Sequence, residues 1–316
     1  MTDPAPYFAD LAEGPEGGQA YWLTASDGVR IRAGLWPYHG DTPCKGTVFI
    51  LPGRTECIEK YGRGAVDLAA RGFASLAIDW RGQGLADRLL AQRSIGHVGH
   101  FPDYQRDLEA VIALAESHDM PKPWFLIGHS MGGAIGVRAL IEGKPFSASA
   151  FSAPMWGIGL RPLQKAMLRF LTPFLKLLGL ENAHAPGTKP ESYMVWHGFE
   201  DNLLTSDRET FDHITRQVVK QPDLSLGGPS SHWVTEAIAE NDWARQQQMP
   251  DVPTLCFLGA EEKIVDTQAV KDFANAWDSC ELIVIPGARH EIPMETPAIR
   301  AQFYDRLAEV FASQSL

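Results

Sequence analysis

Cysteine is scarce in this sequence. Cys44, Cys57, Cys256 and Cys280 stand far apart in 316 residues and form no CxxC pair. That excludes a zinc finger and a thioredoxin-like dithiol, and argues for free thiols in a reducing compartment rather than a disulfide-dense secreted scaffold. Long apolar runs are also missing, and none reaches the roughly 20 residues that a membrane-spanning helix requires. The opening stretch MTDPAPYFADLAEGPEGG has neither the basic nor the apolar region of a signal peptide. The expectation is a cytoplasmic protein, in contact with a membrane only peripherally, at its inner face. Basic charge is short too: 28 Lys and Arg against 39 Asp and Glu leave a net charge of -11. That sign excludes a general nucleic-acid binder, because phosphate contacts supply most of such affinity.

What is present is a large apolar fraction, 45% of residues, enough for a substantial core. Residues 1–19, rich in Gly, Pro, Ala and acids, read as a flexible lead-in. Two β-like stretches, 21–26 and 29–36, flank an Asp27-Gly28 turn. Short apolar runs then recur at 47–51, 74–79, 124–127, 148–151, 254–258 and 282–285, with helical periods at 59–71, 104–117, 131–142, 267–277 and 298–311. Such alternation predicts a doubly wound α/β fold, a mostly parallel sheet of about eight strands covered on both faces. The alternation is interrupted between 154 and 241, where helical pieces appear without a convincing strand. The chain therefore divides into a first core part over 20–153, an inserted helical cap or lid over 154–241, and a second core part over 242–316.

The start of the insertion is distinctive. Arg161, Lys165 and Arg169 recur every four residues and are joined by Lys176, with no acid from Met155 to Leu180. Leu163, Met167, Phe170, Leu171 and Phe174 take other faces. One interpretation is a lid that meets a lipid interface. The other is an ordinary cap helix packed on the core, with its basic residues solvated.

The strongest chemical motif is Gly128-His129-Ser130-Met131-Gly132-Gly133. It matches GxSxG, a strand-to-helix turn that lifts a serine Oγ clear of the backbone. An apolar strand precedes it and a helix follows, so Ser130 is the candidate nucleophile. A serine hydroxyl needs a base to take its proton and an acid to orient that base. In a doubly wound hydrolase both follow the serine, acid first. Of the ten histidines, His290 alone lies beyond the insertion, in a loop after a strand, and is the candidate base. The acid belongs in the loop Gly259-Ala260-Glu261-Glu262-Lys263-Ile264-Val265-Asp266. Glu262, third past the glycine, is favoured by position. Asp266 is the runner-up, with an alternative role as the N-cap of the next helix. Two backbone N–H groups must meet the developing oxyanion, and those of Met131 and Arg54, the latter after Pro52-Gly53, are placed to do so.

These residues amount to a resemblance. From about residue 21 to the C-terminus the chain resembles the α/β-hydrolases of the bacterial lysophospholipase and monoacylglycerol lipase branch. The resemblance rests on PGRTECIEKYG, DWRGQGLADR, GHSMGG, GAEEKIVD and GARHE in that order, with NLLTSDRETF and LSLGGPSSHWVTEA in the insertion. It implies a serine hydrolase of carboxylic esters of lipids, with no metal or organic cofactor and a cap that binds an acyl chain. The chain departs from the family in Pro52-Gly53, where His-Gly is common, and in glutamate at 262, where aspartate is usual.

Trp196, His197 and Trp233 are candidates for the substrate pocket or, equally, for cap core. His97, His100 and Asp103 lack a usual metal-ligand spacing, and Gly82-Gln83-Gly84 lacks the full dinucleotide-binding pattern. Two rival functions are a carboxylesterase for short soluble esters and a non-catalytic binding protein on a hydrolase scaffold. An acyltransferase shares every motif with a hydrolase.

Overall fold

The computed structural model describes residues 3–159, 177 and 180–315. Its apolar runs form one sheet of nine strands in the order β1-β2-β3-β5-β4-β6-β7-β8-β9. These are β1 Asp3–Pro4, β2 Gln19–Thr24, β3 Arg30–Trp36, β4 Thr47–Leu51, β5 Ala74–Asp79, β6 Trp124–His129, β7 Ala148–Ser152, β8 Thr254–Gly259 and β9 Cys280–Ile285. The pairs from β1 through β3 to β5 are antiparallel, and every pair from β5 through β4 to β9 is parallel.

The count corrects the expected eight. The extra strand comes from the lead-in, where Asp3 and Pro4 pair with Trp22 and Tyr21. The same segment forms a short helix, α1 Ala9–Ala12, that buries Leu11 and Ala12. Tyr7 OH accepts a hydrogen bond from the Trp36 indole at 2.8 Å. A few apolar residues among many small and acidic ones thus find a sheet edge to pack on, a tertiary gain that local composition does not display.

Strands β4 to β8 are buried along their whole length, because helices cover both faces. The two faces are visible in the alternation of β4. Phe49 and Leu51 join one core with Leu108 and Val111 of α3 Tyr104–Ser117 and Ile135 of α4 Met131–Ile141. Val48 and Ile50 join the other, with Leu68 of α2 Gly62–Ala69 and Phe303, Leu307 and Phe311 of Pro297–Ser313. A two-residue period sends successive side chains to opposite faces, so a run apolar at every position is a strand buried on both.

Between β7 and β8 the described residues form α5 Tyr193–Trp196, α6 Arg208–Lys220 and α7 Ser231–Ala244. After β8 come α8 Thr267–Asn275 and α9 Pro297–Ser313. The basic, amphipathic stretch holding Arg161, Lys165, Arg169 and Lys176 lies outside the described residues. Among the described residues no helix is long and apolar enough to cross a membrane. All four cysteines are free, Cys57 and Cys256 buried and the others partly so.

Two buried ion networks fix the antiparallel end of the sheet. Arg32 on β3 donates to Asp79 at the end of β5 at 2.7 Å, and to both oxygens of Glu59 at 2.8 and 2.7 Å. Asp79 also accepts from the backbone N–H groups of Ile58 and Leu85, each at 2.8 Å. Arg81 is clamped by Asp107 and Asp27. The DWRGQG stretch is therefore held rigidly, and it supports a neighbouring loop: Trp80 donates to Pro52 O at 3.0 Å and Gln83 to Gly53 O at 2.8 Å.

Removing one member of a buried ion pair leaves its partners charged and unpaired, which costs about 3–5 kcal/mol. Arg32→Met should lower the unfolding free energy by that amount in a denaturant titration. A loss below about 1 kcal/mol, the range of an exposed pair, would show that Asp79 and Glu59 do not depend on it.

Candidate active site

Ser130 sits between the end of β6 and the start of α4, with φ 49 and ψ -115. That left-handed backbone is unfavourable for a residue with a Cβ and persists only where its surroundings impose it. Here its N–H donates to Ser152 O at 3.1 Å, and its carbonyl accepts from Gly133 N at 2.9 Å and Met155 N at 2.8 Å. The turn is also too tight for side chains around it. A Cβ on Gly132 would lie 1.9 Å from Leu51 O, far inside van der Waals contact.

The loop after β4 runs beside this turn. A Cβ on Gly53 would lie 3.1 Å from the Ser130 Cβ. Gly53 N donates to Glu56 Oε2 at 2.5 Å, while Trp80 and Gln83 hold the loop carbonyls. Among the described residues the N–H groups of Arg54 and Met131 have no protein acceptor, so both are available to a ligand atom near Ser130.

Glu262 and His290 meet. The His290 Nδ1 lies 2.7 Å from Glu262 Oε2, with both side chains buried. Glu262 Oε1 accepts from Ile264 N at 2.5 Å and Val265 N at 3.2 Å. Burial works to raise the Glu262 pKa. The hydrogen bond and charge of His290 and the two N–H groups outweigh it, holding the carboxyl below its ordinary range. Asp266 is not brought to His290; it caps α8, accepting from Ala269 N at 3.1 Å.

Behind His290 lies a buried cluster that sequence reasoning did not identify. The Lys60 ammonium donates to Glu56 Oε1 at 2.5 Å and Glu291 Oε1 at 2.6 Å. Tyr61 OH donates to Glu56 Oε2 at 2.5 Å. His129 completes the set, its Nε2 3.2 Å from Glu291 Oε2 and its Nδ1 3.0 Å from Ser152 O. Its ring centroid is 4.8 Å from that of His290. Burial opposes charge on Lys60, His129 and Glu291. The two carboxylates nevertheless raise the pKa of Lys60 and of His129, and the cations hold Glu291 well below its ordinary value.

Glu56, His129 and Glu291 together offer donor atoms within 4.8 Å of one another. Lys60 already offsets part of their negative charge, its ammonium bridging the carboxylates where a cation would otherwise stand. The only sequence trace of the cluster was the spacing of Glu56, Lys60 and Tyr61 inside ECIEKYG. By contrast, His97, His100 and Asp103 are not brought together around one point. His97 pairs with Ser230 at 2.9 Å, and Asp103 accepts from the His100 backbone N–H.

Ser130, Met131, Arg54 and His290 share one cavity of about 400 Å³. Its remaining wall is largely apolar, with Met155, Met194, Leu204, Ile214 and Val218 among the lining residues. Trp233 lines it, buried and donating to Tyr104 OH at 3.2 Å. Trp196 and His197 do not. The single turn of α5 sends Tyr193 and Met194 into the cavity and leaves Trp196 exposed. There it stacks on His197 at 3.8 Å and under Lys189 at 3.4 Å.

Arg54 lines the same cavity. It donates to Gly227 O at 2.8 Å and lies 5.8 Å over the Trp233 ring. Burial, only partly offset by Tyr104, pushes its pKa down to about 10.

Residues 42–297 match the family model Hydrolase_4, described as serine aminopeptidase, S33. Lysophospholipase L2 of Escherichia coli strain K12 is 33% identical over 288 residues, covering 84% of this chain and 79% of the relative. Monoglyceride lipase of Saccharomyces cerevisiae is 25% identical over 285 residues, 84% of each. A solved soluble variant of monoglyceride lipase from Saccharomyces cerevisiae superposes with a TM-score of 0.71 at 20% identity, over 93% of this chain and 95% of its own. That last likeness speaks for the fold. On the span of the family model and the identity to lysophospholipase L2, the chain belongs to the serine aminopeptidase S33 family of α/β-hydrolases.

Proposed function

We propose that this protein hydrolyses carboxylic esters of lipids, of the lysophospholipase or monoacylglycerol lipase type, through Ser130, His290 and Glu262. The observation that carries the proposal is the 2.7 Å bond between His290 and Glu262, at a cavity that Ser130 also lines. His290 takes the Ser130 proton as Oγ attacks the ester carbonyl. Ionised Glu262 holds the imidazole in the tautomer that leaves Nε2 free to accept, and stabilises the imidazolium that forms. The oxyanion is bound by the N–H groups of Arg54 and Met131. His290 returns the proton to the departing alcohol, and water repeats the sequence on the acyl-enzyme.

The apolar wall suits an acyl chain. It draws Tyr193, Met194, Ile214, Val218 and Trp233 from the region between β7 and β8, which supports assigning residues 154–241 as a cap on a core made of 20–153 and 242–316. The basic stretch of residues 161–176 is the part of that cap suited to lipid headgroups. If so, changing Arg161, Lys165 and Arg169 together to glutamine weakens sedimentation with anionic vesicles. Unchanged sedimentation would remove peripheral membrane contact through this segment.

Ser130→Ala should abolish turnover and labelling by a fluorophosphonate. Glu262→Gln should lower kcat by about 10²–10⁴-fold, the scale of losing the orienting acid or a general base. Asp266→Asn should stay within about threefold of wild type, since asparagine caps a helix as well as aspartate does. The reverse ranking of these two variants would move the acid to Asp266. Substrate class is tested by a monoacylglycerol and a lysophosphatidylcholine of equal acyl chain, with Ser130→Ala as the blank. Cleavage of a short nitrophenyl ester but of neither lipid would replace the lipid assignment with a soluble-ester esterase.

A further inference from the structure

Among the described residues, one cation lining the cavity has no carboxylate partner. Glu56, Lys60 and Glu291, which also line it, are bonded to one another, and His290 is bonded to Glu262. Arg54 has no carboxylate partner among the described residues, and the residues outside the description include no Asp or Glu. Three other guanidiniums, wholly or partly buried, are treated differently. Arg32 and Arg81 are each held by two or more carboxylates. Arg88 has none, but it donates to the four carbonyls of Gly82, Gly84, Asp223 and Ser225. Arg54, with five N–H donors, uses one, on Gly227 O.

Arg54 is partly buried and lines the cavity that Ser130 also lines, and a cation drawn partly out of water without an anion is unfavourable. A Cβ on Gly53, the preceding residue, would lie 3.1 Å from the Ser130 Cβ, so the Arg54 side chain leaves the backbone beside the candidate nucleophile. Trp233 backs it with an aromatic face, which fixes a guanidinium without consuming its donors. The remaining N–H groups form the planar fork that matches a phosphate.

We infer that the Arg54 guanidinium is the receptor for the phosphodiester of a lysophospholipid headgroup, and so selects phosphate-bearing over neutral monoacyl lipids. This assignment rests on the lipid-ester function proposed above and specifies its leaving group. A monoacylglycerol fills the acyl wall equally well but leaves Arg54 without an anion. A purely structural Arg54, bracing its loop to Gly227, would affect both lipids alike.

The test compares kcat/KM for lysophosphatidylcholine and monoacylglycerol of one acyl chain, below their micelle concentrations. In Arg54→Met the ratio should fall by at least about tenfold, the scale of one hydrogen bond to a charged group. Arg54→Lys, which keeps charge without the fork, should restore part of it. Equal slowing of both substrates would overturn the assignment. A second measurement needs no variant: wild-type protein should bind a non-hydrolysable ether lysophosphatidylcholine at least about tenfold more tightly than the matching alkylglycerol. Equal affinities would also overturn it. Glycerol 3-phosphate should compete far more weakly than the ether lipid, and competition at equal concentration would assign the site to a free phosphate ester instead. Failure to cleave either lipid, with Ser130 still labelled, would sink the proposed function, while the binding ratio would still decide what Arg54 recognises.

Discussion

The site depends on how closely two backbones pass. Gly132, in the first turn of α4, lies so near the end of β4 that a single methyl would fall 1.9 Å from Leu51 O. Because β4 and β6 are hydrogen-bonded neighbours in the sheet, their C-terminal ends open at the same edge, and this contact removes the space between their loops. It forces Ser130 into a left-handed turn and sets Gly53 against the Ser130 side chain. The free N–H groups of Arg54 and Met131 follow from the same crowding, since one begins a helix and the other ends a tight loop.

Crowded loops of this kind would be soft without support, and buried charge supplies it. Glu56 accepts from the backbone of Gly53, from Lys60 and from Tyr61, so one carboxylate ties the loop to the segment that leads into α2. Lys60 carries the tie across to Glu291, the neighbour of His290. The loop after β4 and the loop bearing His290, which are 231 residues apart at this contact, thus share one ammonium ion. Nearby, the DWRGQG stretch holds the same loop from its other side through Trp80 and Gln83. Charge is a demanding material for a core, tolerable only where every group finds its counterpart. Among the described residues Arg54 is conspicuous because its partner is a carbonyl and not a carboxylate.

The two candidate acids illustrate how far letters alone can go. Glu262 and Asp266 stand four residues apart in one loop, and each has a carboxylate. Loop position favours the first, but what separates them physically is direction. A loop folded over β8 aims Glu262 inward at His290, while Asp266 turns to the first N–H groups of α8. Trp196 and His197 were harder still. Aromatic content marks residues able to line a pocket, but a four-residue helix decides which of its sides faces in, and Tyr193 and Met194 took that side. The lead-in differed for a related reason: Pro, Gly and acids gave no periodic signal, yet Tyr7 met the Trp36 indole and Leu11 became buried, which only the folded sheet provides.

What the sequence by itself determined was whatever is local or ordered along the chain. The strands are legible because apolar runs bounded by turns allow little else, the turn at Ser130 because glycine is required on both sides of it, and His290 because it alone of the ten histidines follows residue 241, in a strand-end loop. Tertiary structure decided the rest: the ninth strand, the partner of His290, the inward face of α5, and the lysine shared between Glu56 and Glu291. Each of these is a contact between distant segments, and its energy arises from burial and charge pairing. Neither exists until the chain has folded, and neither leaves a periodic mark on the letters.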